Sequence, residues 1–463
     1  MGRTAITAGW PVSGSGAIPA HLRASAGILH NEHCGRLGSP APFMESRVSR
    51  EAELDVVIVG AGLAGLACAT ELQRAGRRVR VYEAGDQVGG RVRTDEVDGY
   101  RLDRGFQVYL TAYPEGQRLL DYGALDLRAY PAGARVRTPT GFALVGDPLR
   151  DPLALPATLM APVGSLADKL RILRWRIRTG GGDAARLLEG DDVTTAQMLE
   201  QAGFSRTMRE RFFTPFLGGV FLDSELSTSR RMADYVWRMF STGSAAIPAR
   251  GMQEIPRQLA RRLSTGTVVT GSPVADVRAR GVRLQSGEWV EANHVVVATD
   301  MDQAARLVAG VAVRSWRSTT CLWFAADAPP ATSAHLMLNG TGTGRVNTVT
   351  VPTLLTDGLA PAGKHLVCVS LVGESELADD TLQAAIRDEL RGWFGDVVDG
   401  WRGLAVQRIT NALPSQNVGD LEPPSRAVHA GDGLWICGDH VEQSSIQGAL
   451  LSGSRVARAI LAA

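Results

Sequence analysis

Three glycines with the spacing G-x-G-x-x-G are the first residues whose types and spacing predict chemistry. Gly60, Gly62 and Gly65 separate an apolar, β-branched run at 54–59 from an apolar-periodic run at 63–75. A strand, a turn and a helix in this order bring free N–H groups of the helix N-terminus up to a phosphate. Gly60 permits the turn, Gly62 lets a pyrophosphate approach, and Gly65 lets helix and strand pack closely. The spacing predicts a dinucleotide site rather than an ordinary glycine-rich turn.

An acidic residue follows at the distance expected for a ribose-binding carboxylate. Residues 78–82 read as a second strand, which ends at Glu83, about 18 residues past Gly65. A carboxylate at this place accepts hydrogen bonds from ribose hydroxyls, and it would repel a 2′-phosphate. The pattern therefore favours FAD or NAD over NADP.

The residues that follow Glu83 favour FAD. Gly89, Gly90 and Arg91 complete the pattern E-x(5)-G-G-R, which resembles the fingerprint of the flavin-containing amine oxidase and phytoene desaturase superfamily. Two glycines bring backbone close to a cofactor, and a guanidinium pairs with phosphate oxygens. The resemblance implies that the cofactor is FAD and that Arg91 stabilises its pyrophosphate.

A second motif that resembles the same superfamily lies at the other end of the chain. Gly438 and Asp439 follow a predicted strand at 434–437, and the sequence SIQGALLSG at 445–453 opens a predicted helix. The resemblance implies that Asp439 binds the ribityl chain. It also implies that the helix N-terminus faces the part of the flavin that becomes negative on reduction. The two motifs extend the resemblance over residues 54–463.

Two further segments resemble family segments that contact the cofactor. One runs from Leu102 through Gly105 to Glu115, and the other contains the pair Pro273-Val274, whose valine would hold the adenine. Cys437 lies within a strand rather than at the position of the flavin-linked cysteine of monoamine oxidases, so we expect non-covalent FAD. The full predicted set of FAD-binding residues is Gly60, Gly62, Leu63, Ala64, Gly65, Glu83, Ala84, Gly90, Arg91, Gly105, Gln107, Val108, Val274, Gly438, Asp439 and Ile446.

The catalytic residues are less defined than the cofactor site. Gln107, Tyr109 and His440 are candidates only because they neighbour the flavin motifs. Amine oxidases of the superfamily usually place an aromatic residue just after the G-D pair and a lysine near the flavin N5. Here His440 occupies the first position, and Lys169 and Lys364, which are the lysines of the chain, do not fit the second. These departures weaken amine oxidation.

The resemblance and the departures together favour an FAD-dependent dehydrogenase or desaturase. We expect hydride transfer to flavin N5 from a small, largely apolar molecule of carotenoid or isoprenoid type, with oxygen or a quinone as electron acceptor. A flavin amine oxidase or a protoporphyrinogen-oxidase-like enzyme is the alternative. A non-catalytic prenyl-protein escort protein is a remote alternative that would bind partners on the same fold.

The expected fold is α/β: a Rossmann-like FAD-binding domain of the glutathione-reductase type, interleaved with an α+β substrate domain. Composition sets residues 1–52 apart, since they are rich in Gly, Ala, Ser, Pro and Arg without apolar periodicity. We expect these residues to be disordered, and Met44 is a plausible alternative start. The predicted ranges are 53–130, 251–312 and 426–463 for the FAD-binding domain, and 131–250 and 313–425 for the substrate domain.

Bulk properties exclude several classes of function. A net charge of +1 over 463 residues gives no electrostatic case for nucleic acid. The five cysteines are scattered without metal-ligand spacing, so we expect no metal and a reducing cytoplasmic location. No apolar run is long enough to predict a membrane span. The basic, amphipathic segment 165–178 is favoured as a surface helix with a solvated basic face, and peripheral membrane contact is the alternative.

Overall fold

The computed structural model describes residues 54–463, so the predicted disorder of residues 1–52 lies outside the described residues. The strands of the described part are β1 (Leu54–Val59), β2 (Val79–Tyr82), β3 (Thr94–Val97), β4 (Tyr100–Asp103), β5 (Tyr109–Leu110), β6 (Leu127–Ala129), β7 (Gly133–Thr138), β8 (Gly141–Gly146), β9 (Ala245–Pro248), β10 (Val268–Val269), β11 (Val274–Arg278), β12 (Gly281–Leu284), β13 (Trp289–Val297), β14 (Trp316–Ala326), β15 (Leu336–Asn339), β16 (Thr348–Thr350), β17 (His365–Val372), β18 (Arg402–Pro414), β19 (His429–Gly431) and β20 (Leu434–Ile436).

The helices of the same part alternate with these strands. They are α1 (Leu63–Arg74), α2 (Pro114–Leu119), α3 (Tyr122–Leu125), α4 (Leu155–Met160), α5 (Leu166–Gly180), α6 (Thr195–Gln201), α7 (Arg206–Met208), α8 (Thr214–Phe221), α9 (Arg230–Thr242), α10 (Glu254–Arg261), α11 (Met301–Leu307), α12 (Asp379–Phe394) and α13 (Ile446–Ala462).

A parallel sheet assembles from distant parts of the chain. Its strands run in the order β10, β2, β1, β13 and β20, all parallel. Val57 of β1 pairs with Val295 of β13 on one side and with Arg80 of β2 on the other. The last four residues of β1 and the last three of β13 are buried, and both of these stretches are β-branched. The carboxyl ends of these strands lie at one edge, where the glycine turn follows β1.

A second sheet is formed by the segments between those strands. Its order is β18-β14-β17-β16-β15-β7-β8, with antiparallel pairs except between β15 and β7. The glycine-rich run at 340–344 lies in the loop that connects the antiparallel strands β15 and β16. The two sheets confirm the α/β class with interleaved segments, whereas the domain boundaries at single residues stay a prediction.

Three hydrophobic clusters fill the interior of the described part. The aromatic residues at 212–240 belong to the largest of them, with Trp175 stacked on Trp237 at 4.5 Å between ring centroids. Phe213 is fully buried. These aromatic residues therefore pack as part of the helical core.

The basic segment differs from the favoured prediction. It forms α5, as expected, and Ser165 and Asp168 close its N-terminus in a reciprocal capping box. Its solvent-facing side, however, carries leucine and isoleucine as well as arginine. Leu170 is 68% exposed and Ile177 is 71% exposed. Periodicity alone missed this because the helix has apolar residues on two faces, and Trp175 lies on the face that packs inward.

Candidate functional site

The first glycine turn has the local geometry that the motif requires. Gly60 adopts a φ of +103°, which disfavours residues with a side chain. A Cβ at Gly65 would lie 2.1 Å from the carbonyl oxygen of Gly60, so only glycine lets α1 approach the turn this closely. A Cβ at Gly62 would meet no protein atom within 4 Å. The protein therefore leaves open space at Gly62, as a site that a phosphate approaches requires.

Glu83 holds the same turn from the end of β2. Its carboxylate accepts hydrogen bonds from the backbone N–H groups of Ala61 at 2.7 Å and Gly85 at 2.8 Å. The carbonyl of Glu83 accepts from the N–H of Ser272 at 2.8 Å, which brings the segment leading to Val274 alongside. The predicted ribose and adenine contacts thus lie next to each other.

The G-G-R loop lies directly on the first glycine turn. The N–H of Gly89 donates to the carbonyl of Ala61 at 2.9 Å, and a Cβ at Gly90 would lie 3.5 Å from the Cα of Gly62. Gly89 and Gly90 both have positive φ values, of +124° and +59°. Two turns from different parts of the chain therefore form one backbone-lined cradle.

Arg91 joins the two ends of the chain. Its guanidinium donates to the carboxylate of Asp439 at 2.5 Å and lies over the ring of Trp316, 5.5 Å from its centroid. Burial acts to lower the pKa of Arg91, but the neighbouring carboxylate of Asp439 outweighs it and raises that pKa. The ion pair holds the guanidinium of Arg91 beside the G-D motif. Arg91 is one of the groups predicted to contact a pyrophosphate.

The C-terminal motif packs on the first one through its own glycine. A Cβ at Gly453 would lie 2.1 Å from the carbonyl oxygen of Ala64, so glycine lets α13 lie against α1. Ser452 accepts a hydrogen bond from the N–H of Gly438 at 2.9 Å. Ser445 caps α13 by accepting from the N–H of Gly448 at 3.0 Å. The motif thus positions the helix N-terminus beside the G-D pair.

His440 is the polar group of this site without a protein partner. It is 3% exposed, and neither ring nitrogen forms a hydrogen bond within the described part of the chain. Burial lowers the pKa of His440 to about 4, although the nearby Asp439 opposes the change. Buried polar groups normally have partners. A neutral imidazole of this kind suits a site that a polar cofactor completes.

The segment after β4 connects the cradle to the second sheet. Gln107 donates from its amide to the carbonyl of Arg91 at 2.9 Å. The N–H of Gly105 donates to the side chain of Gln407 at 2.8 Å, and Gln407 also accepts from the indole of Trp323 at 3.1 Å. The side chain of Gln107 therefore positions the loop that carries Arg91. Val108 is partly buried against the largest core cluster.

A cavity lies where this segment meets the second sheet. The cavity is small, and six of its ten lining residues are apolar or aromatic. Phe106 and Tyr130 contact edge to face, with ring centroids 6.4 Å apart. The lining residues are Arg101, Asp103, Phe106, Gln107, Tyr130, Ile247, Trp323, Thr350, Pro352 and Leu359.

Asp103 is the acidic residue of the cavity wall, and no motif in the sequence points to this role. Its carboxylate accepts from the hydroxyl of Thr94 at 2.6 Å and from the N–H of Met252 at 2.9 Å. Burial raises the pKa of Asp103 to about 6, despite these two hydrogen bonds. A carboxyl group with such a pKa can exchange a proton near neutral pH.

Tyr109 lies apart from this arrangement. It is fully buried, its hydroxyl pairs with that of Tyr122 at 2.8 Å, and its ring contacts Tyr113 edge to face. Tyr109, a catalytic candidate from the sequence, does not line the cavity, and neither does Phe212. Burial places both in the core, which favours a packing role.

Trp316 is a further residue that the sequence did not single out. Its ring lies under Arg91, and its indole N–H donates to Asp302 at 2.8 Å. A tryptophan at the start of β14 carries no motif, so its partner is visible only in the folded chain.

The residues of the cradle fit FAD. The open approach at Gly62, the free first-turn N–H groups of α1, the cation Arg91 and the unpartnered His440 match the needs of a pyrophosphate and a polar ring system. Non-covalent binding is consistent with Cys437, which is fully buried in the core. In the described residues no group of His, Cys, Asp and Glu side chains could hold a metal ion.

Comparison with known proteins identifies the family. The profile of the flavin-containing amine oxidoreductases matches residues 63–461, and the chain belongs to that family. A coproporphyrinogen III oxidase of Propionibacterium freudenreichii is 27% identical over 444 residues, which cover 79% of this chain and 82% of the relative. A phytoene dehydrogenase of Streptomyces griseus is 28% identical over 372 residues, which cover 67% and 71%.

A solved structure shows the same fold. An oxidoreductase of Methanosarcina mazei aligns with a TM-score of 0.68 at 19% identity, covering 88% of this chain and 100% of that one. The chain is an FAD-dependent oxidoreductase with a Rossmann-like FAD-binding fold, as the sequence predicted. Among residues 54–463, no helix is long and apolar enough to cross a membrane.

Proposed function

We propose that the enzyme dehydrogenates or desaturates a small, largely apolar substrate of carotenoid or isoprenoid type. The observation that carries this proposal is the cavity wall, where Phe106, Ile247 and Trp323 present apolar surface beside Gln107. Gln107 belongs both to this wall and to the predicted cofactor segment. Bound FAD would supply a two-electron acceptor for hydride, with oxygen or a quinone taking the electrons onward.

The proposed cofactor contacts follow from the cradle. Gly60, Gly62 and the first turn of α1 would hold the pyrophosphate together with Arg91, and Glu83 would accept from the adenosine ribose. Asp439 would bind the ribityl chain. Each of these groups lies at the carboxyl edge of the parallel sheet or on the loop that packs there.

Asp103 is the proposed proton acceptor. Removing a hydride from one carbon leaves a cationic centre, and loss of a proton from the neighbouring carbon completes a double bond. A carboxylate in the cavity wall can take that proton, and a pKa of about 6 leaves Asp103 mostly ionised at neutral pH. The apolar walls exclude water from the same space.

Amine oxidation has less support. Lys169 lies on α5 and donates to backbone carbonyls at the end of α4, and Lys364 pairs with Asp327 at the surface. Neither lysine lines the cavity, and His440 occupies the place of the aromatic residue after the G-D pair. An escort function has less support still, because the cofactor motifs are complete.

Porphyrinogen oxidation is the second candidate, and a specific observation favours it. A coproporphyrinogen III oxidase is similar over most of both chains. The cavity also presents Arg101, whose guanidinium pairs with Glu96 at 3.1 Å and donates to the carbonyl of Gly358. An arginine at a cavity wall suits a carboxylate on an otherwise apolar macrocycle.

Anaerobic titration of the FAD-loaded protein distinguishes these functions. We expect a carotenoid precursor to bleach the flavin and an aliphatic amine to leave it oxidised. Bleaching by coproporphyrinogen, with a KM raised in Arg101→Gln, would establish the second candidate instead. Bleaching by an amine with release of ammonia would refute both.

A further inference from the structure

Exposed large apolar side chains concentrate on one part of the molecule. Of fourteen such residues in the described part of the chain, nine fall between residues 149 and 177. The remaining five are scattered from Trp289 to Leu461. We call the concentrated set the α4–α5 surface, and it consists of Leu149, Leu153, Leu155, Leu159, Met160, Leu166, Leu170, Leu173 and Ile177.

The apolar stripe of α5 points directly away from the protein. Leu166, Leu170, Leu173 and Ile177 recur every three or four residues, so they share one face at about 3.6 residues per turn. Trp175 is buried and lies on the opposite face of the helix. An ordinary surface helix buries its apolar stripe. In α5 the buried face carries Asp168, Trp175 and Thr179, and the apolar stripe faces the solvent.

Anchors on the inner side fix the orientation of α5. Asp168 is fully buried and accepts hydrogen bonds from the N–H and hydroxyl groups of Ser205 at 2.8 and 2.6 Å. Trp175 stacks on Trp237 and donates to Asp234 at 2.6 Å. The outward stripe is therefore presented by a firmly packed helix.

A lysine holds α4 beside α5. Lys169 donates to the carbonyls of Leu159 at 2.6 Å and Ala161 at 3.2 Å, at the end of α4. Met160, at that same end, is 84% exposed. The exposed apolar side chains of α4 and α5 therefore lie on neighbouring helices.

Basic residues flank this surface. Residues 149–178 contain six Lys and Arg and two Asp and Glu, whereas the whole chain has a net charge of only +1. One of the two acids, Asp168, is buried. By helical spacing, Arg171, Arg174 and Arg178 lie along one side of the leucine stripe. Arg171 pairs with Asp168 at 3.6 Å and Arg178 with Asp234 at 2.5 Å, whereas Arg174 is exposed and forms no ion pair within residues 54–463. Apolar residues between arginines match the interface between acyl chains and anionic headgroups.

We propose that the α4–α5 surface docks on an anionic lipid bilayer, with α5 lying in the plane of the interface. The stripe enters the boundary between headgroups and acyl chains, and the exposed Arg174 beside it pairs with lipid phosphates. The charge of the surface favours a lipid over a second copy of this chain, because two such basic surfaces would repel each other. The proposal holds whatever the substrate of the enzyme is.

Vesicle co-sedimentation of the FAD-loaded full chain tests this proposal. The vesicles are phosphatidylcholine alone or phosphatidylcholine with phosphatidylglycerol. We expect binding to the anionic vesicles, lowered roughly tenfold or more in L170Q/I177Q, which replaces the two most exposed residues of the stripe. R174Q should weaken binding to the anionic vesicles, and added salt should weaken it in the same direction. V397Q/V418Q, which changes two exposed valines elsewhere, should bind as the unchanged protein does.

Three outcomes would overturn the proposal. The unchanged protein does not sediment with anionic vesicles, or L170Q/I177Q sediments equally well. Alternatively, sedimentation equilibrium without lipid shows a dimer that L170Q/I177Q abolishes, and a second copy then covers the surface. The substituted side chains are exposed, so folding should be unchanged, and flavin content verifies it for each variant.

Discussion

Replacing Gly62 or Gly65 by alanine separates cofactor binding from folding. The two glycines lie three residues apart in one motif, and each substitution adds a single methyl group. At Gly65 the new Cβ would lie 2.1 Å from the carbonyl oxygen of Gly60 and 3.2 Å from the Cβ of Ala298. Because the first of these contacts is with backbone, helix α1 must shift away from the sheet.

The expected magnitudes differ accordingly. Gly65→Ala should cost about 3 kcal/mol of unfolding free energy, at the upper end for overpacking. Gly62→Ala should cost about 1 kcal/mol or less, because no protein atom lies within 4 Å and its φ is −71°. The Cβ at Gly62 would, however, occupy the approach of the pyrophosphate. We expect its Kd for FAD to rise at least tenfold, or about 1.4 kcal/mol.

Two measurements on flavin-free protein check this pair of variants. Denaturant unfolding followed by tryptophan fluorescence gives the stability, and quenching of FAD fluorescence gives the Kd. Gly76→Ala serves as a control outside the cradle. Its φ of +80° strains an alanine, so stability should fall by about 1 kcal/mol while the Kd for FAD stays unchanged. Normal FAD binding by Gly62→Ala would refute the role of Gly62 in phosphate approach. A loss of stability as large as that of Gly65→Ala would refute it as well.

Three further predictions concern side chains of the site. Asp439→Asn removes the partner of Arg91, so calorimetric titration should show a Kd for FAD raised roughly tenfold, and an unchanged Kd would contradict the proposed contact. Burial lowers the pKa of His440 from 6.5 to about 4, so between these pH values the unfolded chain binds a proton that the folded protein does not. Stability therefore falls as the pH is lowered through this range. Up to about 3 kcal/mol should be lost as pH falls from 6.5 to 4, and denaturation of His440→Asn should show a loss smaller by that amount. Asp103→Asn should keep FAD but slow flavin reduction by about 100-fold, and it should abolish a rise in rate as pH increases through about 6. A pH profile that Asp103→Asn leaves unchanged would exclude Asp103 as the proton acceptor.

The sequence could predict those features that depend on residues close together in the chain. The turn at Gly60, the helix after it and the strand that ends at Glu83 depend on residues close together in the chain. Their prediction needed only backbone freedom, apolar periodicity and spacing. The class of fold and the cofactor followed, because the motifs at both ends resemble those of one family.

The rest depends on how distant elements meet. Nothing in the local sequence shows that Gly453 faces the carbonyl of Ala64, or that Trp316 lies under Arg91. Nothing in the local sequence distinguishes Asp103 from other strand residues, and its place in the cavity wall depends on the folded chain. Helix α5 illustrates the same limit, since its buried residues are Asp168, Trp175 and Thr179 while its leucine stripe is exposed, which apolar periodicity does not predict.

The most direct test of the account is the visible spectrum of the purified full chain, recorded before and after anaerobic addition of a carotenoid precursor. We predict the absorption bands of oxidised flavin, their loss on adding the substrate, and release of intact FAD when the protein is denatured. A colourless protein that takes up no FAD on reconstitution would contradict the cofactor site. A yellow protein that the apolar substrate leaves oxidised would contradict the proposed reaction.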